Sequence, residues 1–358
     1  MKALVLEEYQ HFVYKDVPNP TPADDEVLVS IKATSVCGSD VHGMDGSTGR
    51  RIPPIVMGHE ASGIVVQTGK DVQNYRINDR VTFDSTIYCG KCQYCKNNQV
   101  NLCENRKVLG VSCDEYKLAG TFAEYVAIPE RVLYKIPDTV SFEEAAMLEP
   151  LSVACHAVSI ANLSNVSTAA VIGCGTIGLL IAQVLRSNGI KRIILADISE
   201  EKIAQAGNLG FCDTINLSKC DFTVSLHQLV GGGGVDLAFD AVGTNETVSN
   251  AINAVRKGGV CVLVGNVAPK VELPLQTVVT RQLSILGSCA SAGEYARCLD
   301  MLSKKTVDVK SLISKRVPLA DGNEWIHRVY NQEKGLHKIV MIPVSYTHLR
   351  AHETGRNL

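Results

Sequence analysis

Residues 169 to 178 read Ala-Ala-Val-Ile-Gly-Cys-Gly-Thr-Ile-Gly, a short apolar strand that leads into a turn of the form G-x-G-x-x-G. In such a turn the first glycine permits a sharp bend, the second lets the backbone approach a pyrophosphate, and the third lets the next helix pack on the strand. The N-terminus of that helix offers free N–H groups to the phosphates. The stretch predicts a dinucleotide site, and the alternative is a glycine turn that binds no ligand. The residues predicted to contact the cofactor here are Gly173, Gly175, Thr176 and Gly178.

An acidic residue follows at the end of the next strand-like run. Asp197 stands 24 residues after Gly173. Its carboxylate suits the hydroxyls of an adenosine ribose and would repel a 2′-phosphate. Because no arginine occurs in the five residues after Asp197, the sequence predicts NAD as the cofactor rather than NADP.

The sequence on both sides of this turn alternates strand-like and helix-like runs. The strand-like runs are 169–172, 192–196, 235–239, 259–264 and 284–286, and the helix-like runs are 177–187 and 199–209. Such alternation is typical of parallel βαβ units. We therefore predict a doubly wound parallel sheet of the Rossmann type at 153–288.

The N-terminal part of the chain has another pattern. Short β-type runs at 26–33, 63–67, 80–83 and 122–127 are separated by clusters of Pro, Gly, Asp and Asn, as in an antiparallel, barrel-like domain. Ser141 and Glu144 form a capping box that predicts a helix from there to Ala161. The prediction is an α/β protein with a mostly-β domain at 1–152, the nucleotide-binding domain at 153–288, and a return to the first domain at 289–343.

The last fifteen residues, 344–358, resemble the in-frame translation of a transposase-type sequencing adaptor followed by index bases. The strand-like run at 338–343 stops abruptly where they begin. We interpret them as an artefact, the alternative being a genuine polar tail. His348 and His352 are therefore excluded from the candidate site residues.

Four cysteines lie close together in the sequence. Their spacing is C-x2-C-x2-C-x7-C, and they are Cys89, Cys92, Cys95 and Cys103. Four thiolates at this spacing predict a closed, structural zinc site in which no position is open for substrate. An iron–sulfur cluster is a rival, although the usual Cys-Pro ending is missing. Four packed thiols without a metal are the remaining alternative.

A second set of metal-ligand residues is spread over the chain: Cys37, His59, Glu60 and Glu149. A thiolate, an imidazole and a carboxylate from separate segments are typical of a catalytic zinc with three protein ligands and an open position. A lone histidine is more often a packing residue, however, and a glutamate that opens a helix is usually a cap. The spacing alone leaves both interpretations open.

Composition excludes several classes of protein. The chain has 358 residues, enough for two domains, and a formal charge of −2, which gives no electrostatic reason to expect nucleic acid or an anionic membrane as partner. The N-terminus becomes acidic after four apolar residues, and no later run is long enough to span a bilayer. The 13 cysteines are interpreted as reduced thiols and metal ligands rather than a disulfide framework. We predict a cytoplasmic protein.

Five motifs occur together in a familiar order. They are Cys-Gly-Ser-Asp-Val-His at 37–42, Gly-His-Glu-Ala-Ser-Gly at 58–63, the four-cysteine loop, Glu-Pro-Leu at 149–151 and the glycine turn. The chain resembles the zinc-containing medium-chain dehydrogenases over residues 1–343, closest to the sorbitol (polyol) and galactitol-1-phosphate 5-dehydrogenase branch. The resemblance implies a GroES-like catalytic domain, a Rossmann domain, two zinc ions per chain, and a homotetramer or homodimer. It also implies that Cys37, His59 and Glu60 bind the catalytic zinc, with Glu149 as a fourth ligand or the holder of a zinc-bound water.

The resemblance further implies a mechanism. Zinc lowers the pKa of the alcohol, Ser39 takes its proton, and the proton passes through the cofactor ribose to His42 and solvent while the nicotinamide receives hydride. The alternative interpretation is that Ser39 is a turn residue and His42 a surface side chain. The remaining implied contacts are Ile177 near the adenosine, Lys202 near its ribose, and Val264, Gly265 and Asn266 beside the nicotinamide.

The sequence departs from the sorbitol enzymes where substrate should bind. Gly43 stands where those enzymes have an aromatic residue, and Ala290 stands at the position of their polyol-binding arginine. Arg50 and Arg51 suit a substrate phosphate, since guanidinium groups match phosphate oxygens. The other interpretation of this pair is a solvated basic turn.

The predicted function is zinc-dependent oxidation of a secondary alcohol, on a polyol or polyol phosphate, with NAD. A threonine or butanediol dehydrogenase is an alternative within the superfamily. A nucleotide-binding protein without turnover is an alternative of another class, and the intact relay and zinc ligands argue against it. A zinc-free quinone reductase is disfavoured because such relatives generally lack both metal clusters. The predicted partners are a small-molecule alcohol and further copies of the chain, with no nucleic acid and no membrane.

Overall fold

The computed structural model describes residues 1–112 and 117–343. The predicted adaptor-derived tail at 344–358 and Cys113 lie outside the described residues. The chain divides into two compact units. Among the described residues, the first unit contains 1–149, 295–303 and 309–343, and the second contains 150–294 and 304–308.

The regular elements of the described chain are as follows. The strands are β1 (Lys2–Glu8), β2 (His11–Asp16), β3 (Glu26–Ser35), β4 (Ile55–Val56), β5 (Glu60–Thr68), β6 (Arg80–Phe83), β7 (Thr86–Ile87), β8 (Lys107–Val108), β9 (Tyr125–Pro129), β10 (Leu133–Lys135), β11 (Thr168–Ile172), β12 (Arg192–Asp197), β13 (Thr214–Asn216), β14 (Val235–Asp240), β15 (Val255–Leu263), β16 (Ser284–Gly287), β17 (Lys315–Pro318) and β18 (Ile339–Ile342). The helices are α1 (Gly38–Gly43), α2 (Gln93–Lys96), α3 (Phe142–Ala146), α4 (Leu148–Ser159), α5 (Thr176–Ser187), α6 (Glu200–Asn208), α7 (Phe222–Val230), α8 (Asn245–Ala254), α9 (Leu275–Thr280), α10 (Tyr295–Ser303) and α11 (Gly322–Tyr330), and short 3-10 turns occur at Val100–Leu102, Glu130–Val132, Lys310–Leu312 and Leu319–Asp321.

The first unit is built on a largely antiparallel sheet with the strand order β10-β6-β5-β3-β18-β17, in which β9 also pairs with β3. Only β17 and β18 run parallel among the described strand pairs of this sheet. Alternate residues of β3 (Val27, Val29, Ile31 and Ala33) are buried, as expected for a strand with one face on a core. β3 is central, so the neighbouring ends of β5 and β18 meet beside its carboxyl end at Ser35.

The second unit contains a parallel sheet with the strand order β13-β12-β11-β14-β15-β16. The order reverses between β11 and β14, the position at which doubly wound sheets bind ligands. Helix α5 follows β11 directly and is buried along most of its length, from Gly178 to Leu185. The predicted doubly wound parallel sheet is confirmed.

The helix predicted after Ser141 begins as expected but is interrupted. Ser141 Oγ accepts from the Glu144 N–H (3.2 Å) and the Glu144 carboxylate accepts from the Ser141 N–H (2.9 Å), so the capping box is confirmed. The helix then ends at Ala146, with Met147 as its C-cap, and α4 starts at Leu148. Pro150 explains the break, because a proline lacks the N–H that would continue the first helix and fits the first turn of a new one.

No helix of the described residues combines the length and the apolar character that crossing a lipid bilayer would require.

Candidate metal and nucleotide sites

Cys37 lies at the junction between β3 and α1. It is the N-cap of α1, with an extended backbone (φ −83°, ψ 151°). Its sulfur accepts a hydrogen bond from the Ser39 N–H (3.5 Å), and its own N–H donates to Asp40 Oδ2 (3.3 Å). These hydrogen bonds fix Cys37 at the start of the helix.

His59 and Glu60 stand at the start of β5. Gly58, just before them, has φ +92°, and a Cβ added there would lie 2.3 Å from Phe122 Cδ1. Only glycine fits such a backbone and such a close neighbour. Glu60 is directly opposite Ser35 in the β3–β5 ladder, which places it near Cys37, two residues after Ser35.

The structure brings three of the four predicted catalytic ligands together. The ligand atoms of Cys37, His59 and Glu60 all lie within 4.8 Å of one another. Within the described residues, Glu60 Oε1 is buried and has no hydrogen-bond partner. A buried carboxylate oxygen is costly unless a donor or a cation meets it. Sulfur, nitrogen and oxygen donors at this spacing are a ligand set that zinc prefers, so the residues present fit a zinc ion.

Asp40 holds the imidazole of His59. His59 Nδ1 lies 3.4 Å from Asp40 Oδ1, and both side chains are buried. Burial opposes the ionisation of Asp40, but His59 and Arg51 outweigh it and lower its pKa to about 2. Burial also opposes a charged imidazole, whereas Asp40 and Cys37 raise the pKa of His59 well above its usual value. A carboxylate on Nδ1 fixes the ring and leaves Nε2 for a metal.

Lys338 contacts the same cluster from the other end of the chain. It immediately precedes β18, is buried, and donates to Glu60 Oε2, which also accepts from Ser35 Oγ. Burial would lower the pKa of Lys338, but Glu60 and Cys37 raise it above its usual value. Sequence reasoning missed Lys338 because 278 residues separate it from Glu60.

Glu149 is not part of the group of three. It lies in the first turn of α4, is half-buried, and accepts from Ser85 Oγ at 3.4 Å. Burial raises the pKa of Glu149 to about 7, with His59 opposing the shift and Glu60 adding to it. Its role as a fourth ligand or as the holder of a water stays a prediction.

The two predicted relay residues share the exposed side of α1. Ser39 and His42 are both exposed, and residues three apart on a helix are neighbours. The Ser39 hydroxyl accepts from Arg51 Nη2 at 3.3 Å.

Arg50 and Arg51 lie in different environments. The side chain of Arg50 is exposed, whereas that of Arg51 is only 5% exposed and forms an ion pair with Asp40 (Nη2 to Oδ1, 3.2 Å). The interpretation of this pair as a solvated basic turn is therefore wrong for Arg51. The contact of this pair with a substrate phosphate stays a prediction.

The four-cysteine loop forms a second compact group. The ligand atoms of its cysteines all lie within 4.8 Å of one another, at Cys89, Cys92, Cys95 and Cys103. Backbone N–H groups of Lys91 and Cys92 lower the pKa of Cys89 to about 6, while burial raises that of Cys95 to about 12. The Cys89 and Asn105 N–H groups donate to Cys103 Sγ (3.3 and 3.4 Å). Four sulfurs around one centre, with N–H groups directed at them, fit a structural zinc.

The glycine turn has the geometry that its spacing predicts. Gly173 has φ +102°, and a Cβ on Gly178 would lie 1.8 Å from the Gly173 carbonyl oxygen, so both positions require glycine. Gly175 is the N-cap of α5 and has open space where a Cβ would stand. The half-buried Thr176 and Ile177 form the first turn of α5. This turn leaves the helix N-terminus accessible to phosphates.

Asp197 ends β12 and is tied to the turn. Its Oδ2 accepts from the Cys174 N–H (2.7 Å) and its Oδ1 from the Ser199 N–H (2.8 Å). Ser199 in turn caps α6 by accepting from the Lys202 N–H at 3.4 Å, which places Lys202 in the first turn after Asp197. The carboxylate is therefore held in a fixed orientation beside the glycine turn.

The residues predicted beside the nicotinamide follow β15. The Val264 and Gly265 N–H groups both donate to the Asp240 carbonyl oxygen (2.9 and 3.0 Å), and Asn266 is exposed. β11, β14 and β15 are parallel neighbours, so these residues lie at the same edge of the sheet as the glycine turn. Ala290, further along the chain, has φ 51°.

Comparison with known proteins agrees with this combination of features. Residues 23–138 match the family described as "Alcohol dehydrogenase GroES-like domain", and residues 176–304 match "Zinc-binding dehydrogenase". The L-idonate 5-dehydrogenase of Vitis vinifera is 37% identical over 84% of this chain and 82% of its own length.

Solved structures give the same result. A zinc-binding dehydrogenase of Sinorhizobium meliloti 1021, bound to NADP, has a TM-score of 0.87 and 32% identity, over 96% of this chain and 99% of that one. Galactitol-1-phosphate dehydrogenase from Escherichia coli has a TM-score of 0.88 and 25% identity, over 96% and 100%.

A GroES-like unit and a Rossmann unit together define an alcohol dehydrogenase of the medium-chain type. The chain belongs to the zinc-binding alcohol dehydrogenase family. The predicted fold class, family and enzyme class are thereby confirmed.

Proposed function

We propose that this chain oxidises a secondary alcohol on a polyol or polyol phosphate, with NAD as hydride acceptor, to give a ketone or ketose. The observation that carries the proposal is the buried group of Cys37, His59 and Glu60, with the Ser39 hydroxyl beside it on α1. A structural metal site has four closed ligands, whereas three ligands leave a position for substrate.

The residues have distinct roles in this proposal. When bound, zinc supplies a Lewis acid that lowers the pKa of an alcohol, and the nicotinamide ring accepts hydride. Ser39 Oγ accepts the proton of the substrate hydroxyl and gives up its own proton, which leaves to solvent by way of the exposed His42. Asp40 keeps His59 oriented. Lys338 and Ser35 hold one oxygen of Glu60, so that the other oxygen remains available to the cation.

NAD is the proposed cofactor because of Asp197. Its carboxylate is held at the end of β12 by two backbone N–H groups, and a negative charge there opposes a 2′-phosphate. The test is to compare kcat/KM for NAD and NADP in the wild type and in Asp197→Ser. We expect the preference for NAD to fall at least tenfold in the variant. A wild type that prefers NADP would exclude this part of the proposal.

The substrate class is proposed from the relatives together with the residues of the site. The two named relatives that act on known compounds take idonate and galactitol 1-phosphate, which are a sugar acid and a polyol phosphate. Gly43 and Ala290 replace the aromatic residue and the arginine of the sorbitol enzymes, which disfavours sorbitol itself. A panel should therefore contain sorbitol, xylitol, galactitol, galactitol 1-phosphate and L-idonate.

The test is NADH formation by the zinc-loaded chain with each compound of the panel, with and without a chelator. Chelator-sensitive NAD reduction supports the proposal, and the compound with the highest kcat/KM identifies the substrate. Threonine and 2,3-butanediol should be included as probes of the alternative dehydrogenases. A protein that holds two zinc ions and binds NAD but turns over none of these compounds would contradict the polyol proposal.

A nucleotide-binding protein without turnover makes a different prediction. Such a protein would not depend on Cys37, so Cys37→Ala would leave every measurable property except zinc content unchanged. The dehydrogenase proposal requires that Cys37→Ala abolishes NAD reduction while the dissociation constant for NAD stays within threefold of the wild type.

We also propose a cytoplasmic homo-oligomer, a tetramer or dimer. β16 is an edge strand of the parallel sheet, and α9 just before it has no buried residue. Leu275 and Val279 on α9 are 62% and 68% exposed, and neighbouring apolar side chains of this kind usually mark an interface. Sedimentation should give an assembly mass that is a multiple of the chain mass. Val279→Asp should lower this assembly mass.

A further inference from the structure

Arg51 is buried beside the proposed relay, although burying a charged side chain costs free energy. Within the described residues its guanidinium makes two hydrogen bonds, both from Nη2: one to Asp40 Oδ1 (3.2 Å) and one to Ser39 Oγ (3.3 Å). Its Nε is buried without a hydrogen-bond partner in the described part of the chain. Burying a guanidinium in this way is costly, so ion pairing with Asp40 alone is a poor explanation of its position.

The backbone of α1 makes room for this side chain. A Cβ on Gly43 would lie 2.6 Å from Arg51 Cγ and 3.6 Å from Arg51 Cβ. Gly43 has no left-handed φ, so the absence of its side chain serves Arg51 rather than a turn. Gly43 and Arg51 therefore pack against each other. The aliphatic part of the Arg51 side chain fills the space that a side chain at position 43 would take.

The direction of the hydrogen bond to Ser39 follows from chemistry. A guanidinium has donors only, so Ser39 Oγ must accept from Arg51. A hydroxyl oxygen has two lone pairs and one hydrogen. With one lone pair occupied by Arg51, one remains for the substrate hydroxyl, and the hydrogen of Ser39 is directed away from Arg51.

We propose that Arg51 is a positioning residue that fixes the Ser39 hydroxyl so that it accepts a proton from the substrate and passes its own proton onward. This inference rests on the proposed function, because it requires that Ser39 takes part in alcohol oxidation.

The test compares the full-length, zinc-loaded wild type with Arg51→Gln, Arg51→Lys, Ser39→Ala and the double variant Ser39→Ala/Arg51→Gln. The matched control is Arg76→Gln, which removes the same charge from an exposed arginine of the first unit that has no proposed role in the site. Each protein is assayed for zinc content and for kcat and KM with the best substrate of the wild type.

We expect Arg51→Gln to lower kcat by about 10- to 100-fold, the effect of a misplaced reacting group, with KM for NAD within threefold and two zinc ions retained. Arg51→Lys should recover part of the loss, and Arg76→Gln should stay within twofold of the wild type. Since Arg51 acts through Ser39, the double variant should be no more than threefold slower than Ser39→Ala.

Three results would overturn the inference: a kcat of Arg51→Gln within twofold of the wild type, a multiplicative loss in the double variant, or a loss explained entirely by missing zinc. If Arg51→Gln does not fold, Gly43→Ala displaces the Arg51 stem without removing its charge and should lower kcat by about tenfold; an unchanged kcat in that variant also refutes the inference. A wild type that holds zinc and NAD but turns over no alcohol refutes the proposed function itself, and this inference with it.

Discussion

Replacing Lys338 by methionine should destabilise the metal-free protein far more than the zinc-loaded one. The Lys338 side chain is 4% exposed and the Glu60 side chain is fully buried. Methionine approximately fills the same space but leaves the Glu60 carboxylate without its cation. Ser35 Oγ remains as a donor to Glu60 Oε2, and one neutral hydrogen bond cannot balance a buried charge.

The size of the effect follows from the contact. Two unit charges at a hydrogen-bond separation of about 3 Å attract by about 5 kcal/mol when the effective dielectric constant is about 20. Removing one partner of a buried ion pair typically costs about 3–5 kcal/mol. We therefore expect the free energy of unfolding of the metal-free first unit to fall by about 3–5 kcal/mol. A zinc ion beside Glu60 supplies positive charge of its own, so the deficit should shrink on loading.

The protein carries its own reporter for this measurement. Trp325, on α11 of the first unit, is the only tryptophan of the sequence. Its fluorescence in urea therefore follows the unfolding of that unit, before and after zinc is removed by a chelator. Lys107→Met is the control, because Lys107 is exposed and surface substitutions usually change stability by less than about 0.5 kcal/mol. A deficit below about 1 kcal/mol in the metal-free protein, or an equal deficit with and without zinc, would refute the reasoning.

Three further predictions concern other parts of the molecule. Cys103→Ser should reduce the zinc content from two ions to one per chain by atomic absorption; two retained ions would exclude a four-cysteine site. Gly178→Ala should weaken NAD binding at least tenfold in a titration of NADH fluorescence, because its Cβ would lie 1.8 Å from the Gly173 oxygen. The pKa of Asp236 is lowered because hydrogen bonds from Arg256, Ser167 and Thr168 outweigh its burial. Asp236→Asn should therefore lower the free energy of unfolding by about 2 kcal/mol at pH 7, and the deficit should shrink as pH falls below about 4, where the unfolded carboxyl group is protonated; a deficit independent of pH would contradict this.

Local patterns predicted the second unit well. The glycine turn, the strand before it and Asp197 lie within 29 residues, and each has a chemical signature that needs no distant partner.

β6 was predicted with the bounds that the structure has, and β3 nearly so. The helix after Ser141 was wrong only in its continuity, because its pattern continues through a proline that ends one helix and starts another.

The surroundings of the catalytic cluster were beyond local patterns. Arg51 stands in a polar stretch between two glycines and two prolines, where an exposed basic turn is the ordinary expectation. Arg51 is buried because it pairs with Asp40 and because Gly43 has no side chain. No sequence pattern or residue spacing predicts either contact. Asp40 does have a local signal, since it stands three residues after Cys37 in a capping arrangement.

The position of Lys338 shows that the site depends on how the strands of the sheet pair, as well as on which residues are present. β3 is central, and both β5 and β18 are antiparallel to it. The carboxyl end of β3 therefore lies beside the amino ends of β5 and β18. Cys37 follows the first of these ends, Glu60 begins the second, and Lys338 directly precedes the third. The order of the strands brings these residues together. Lys338, the cation that holds Glu60, is therefore in place only after the chain has completed the second unit and returned to the first. The first 152 residues alone would leave Glu60 buried without that cation, so an isolated N-terminal fragment should fold poorly unless zinc is supplied.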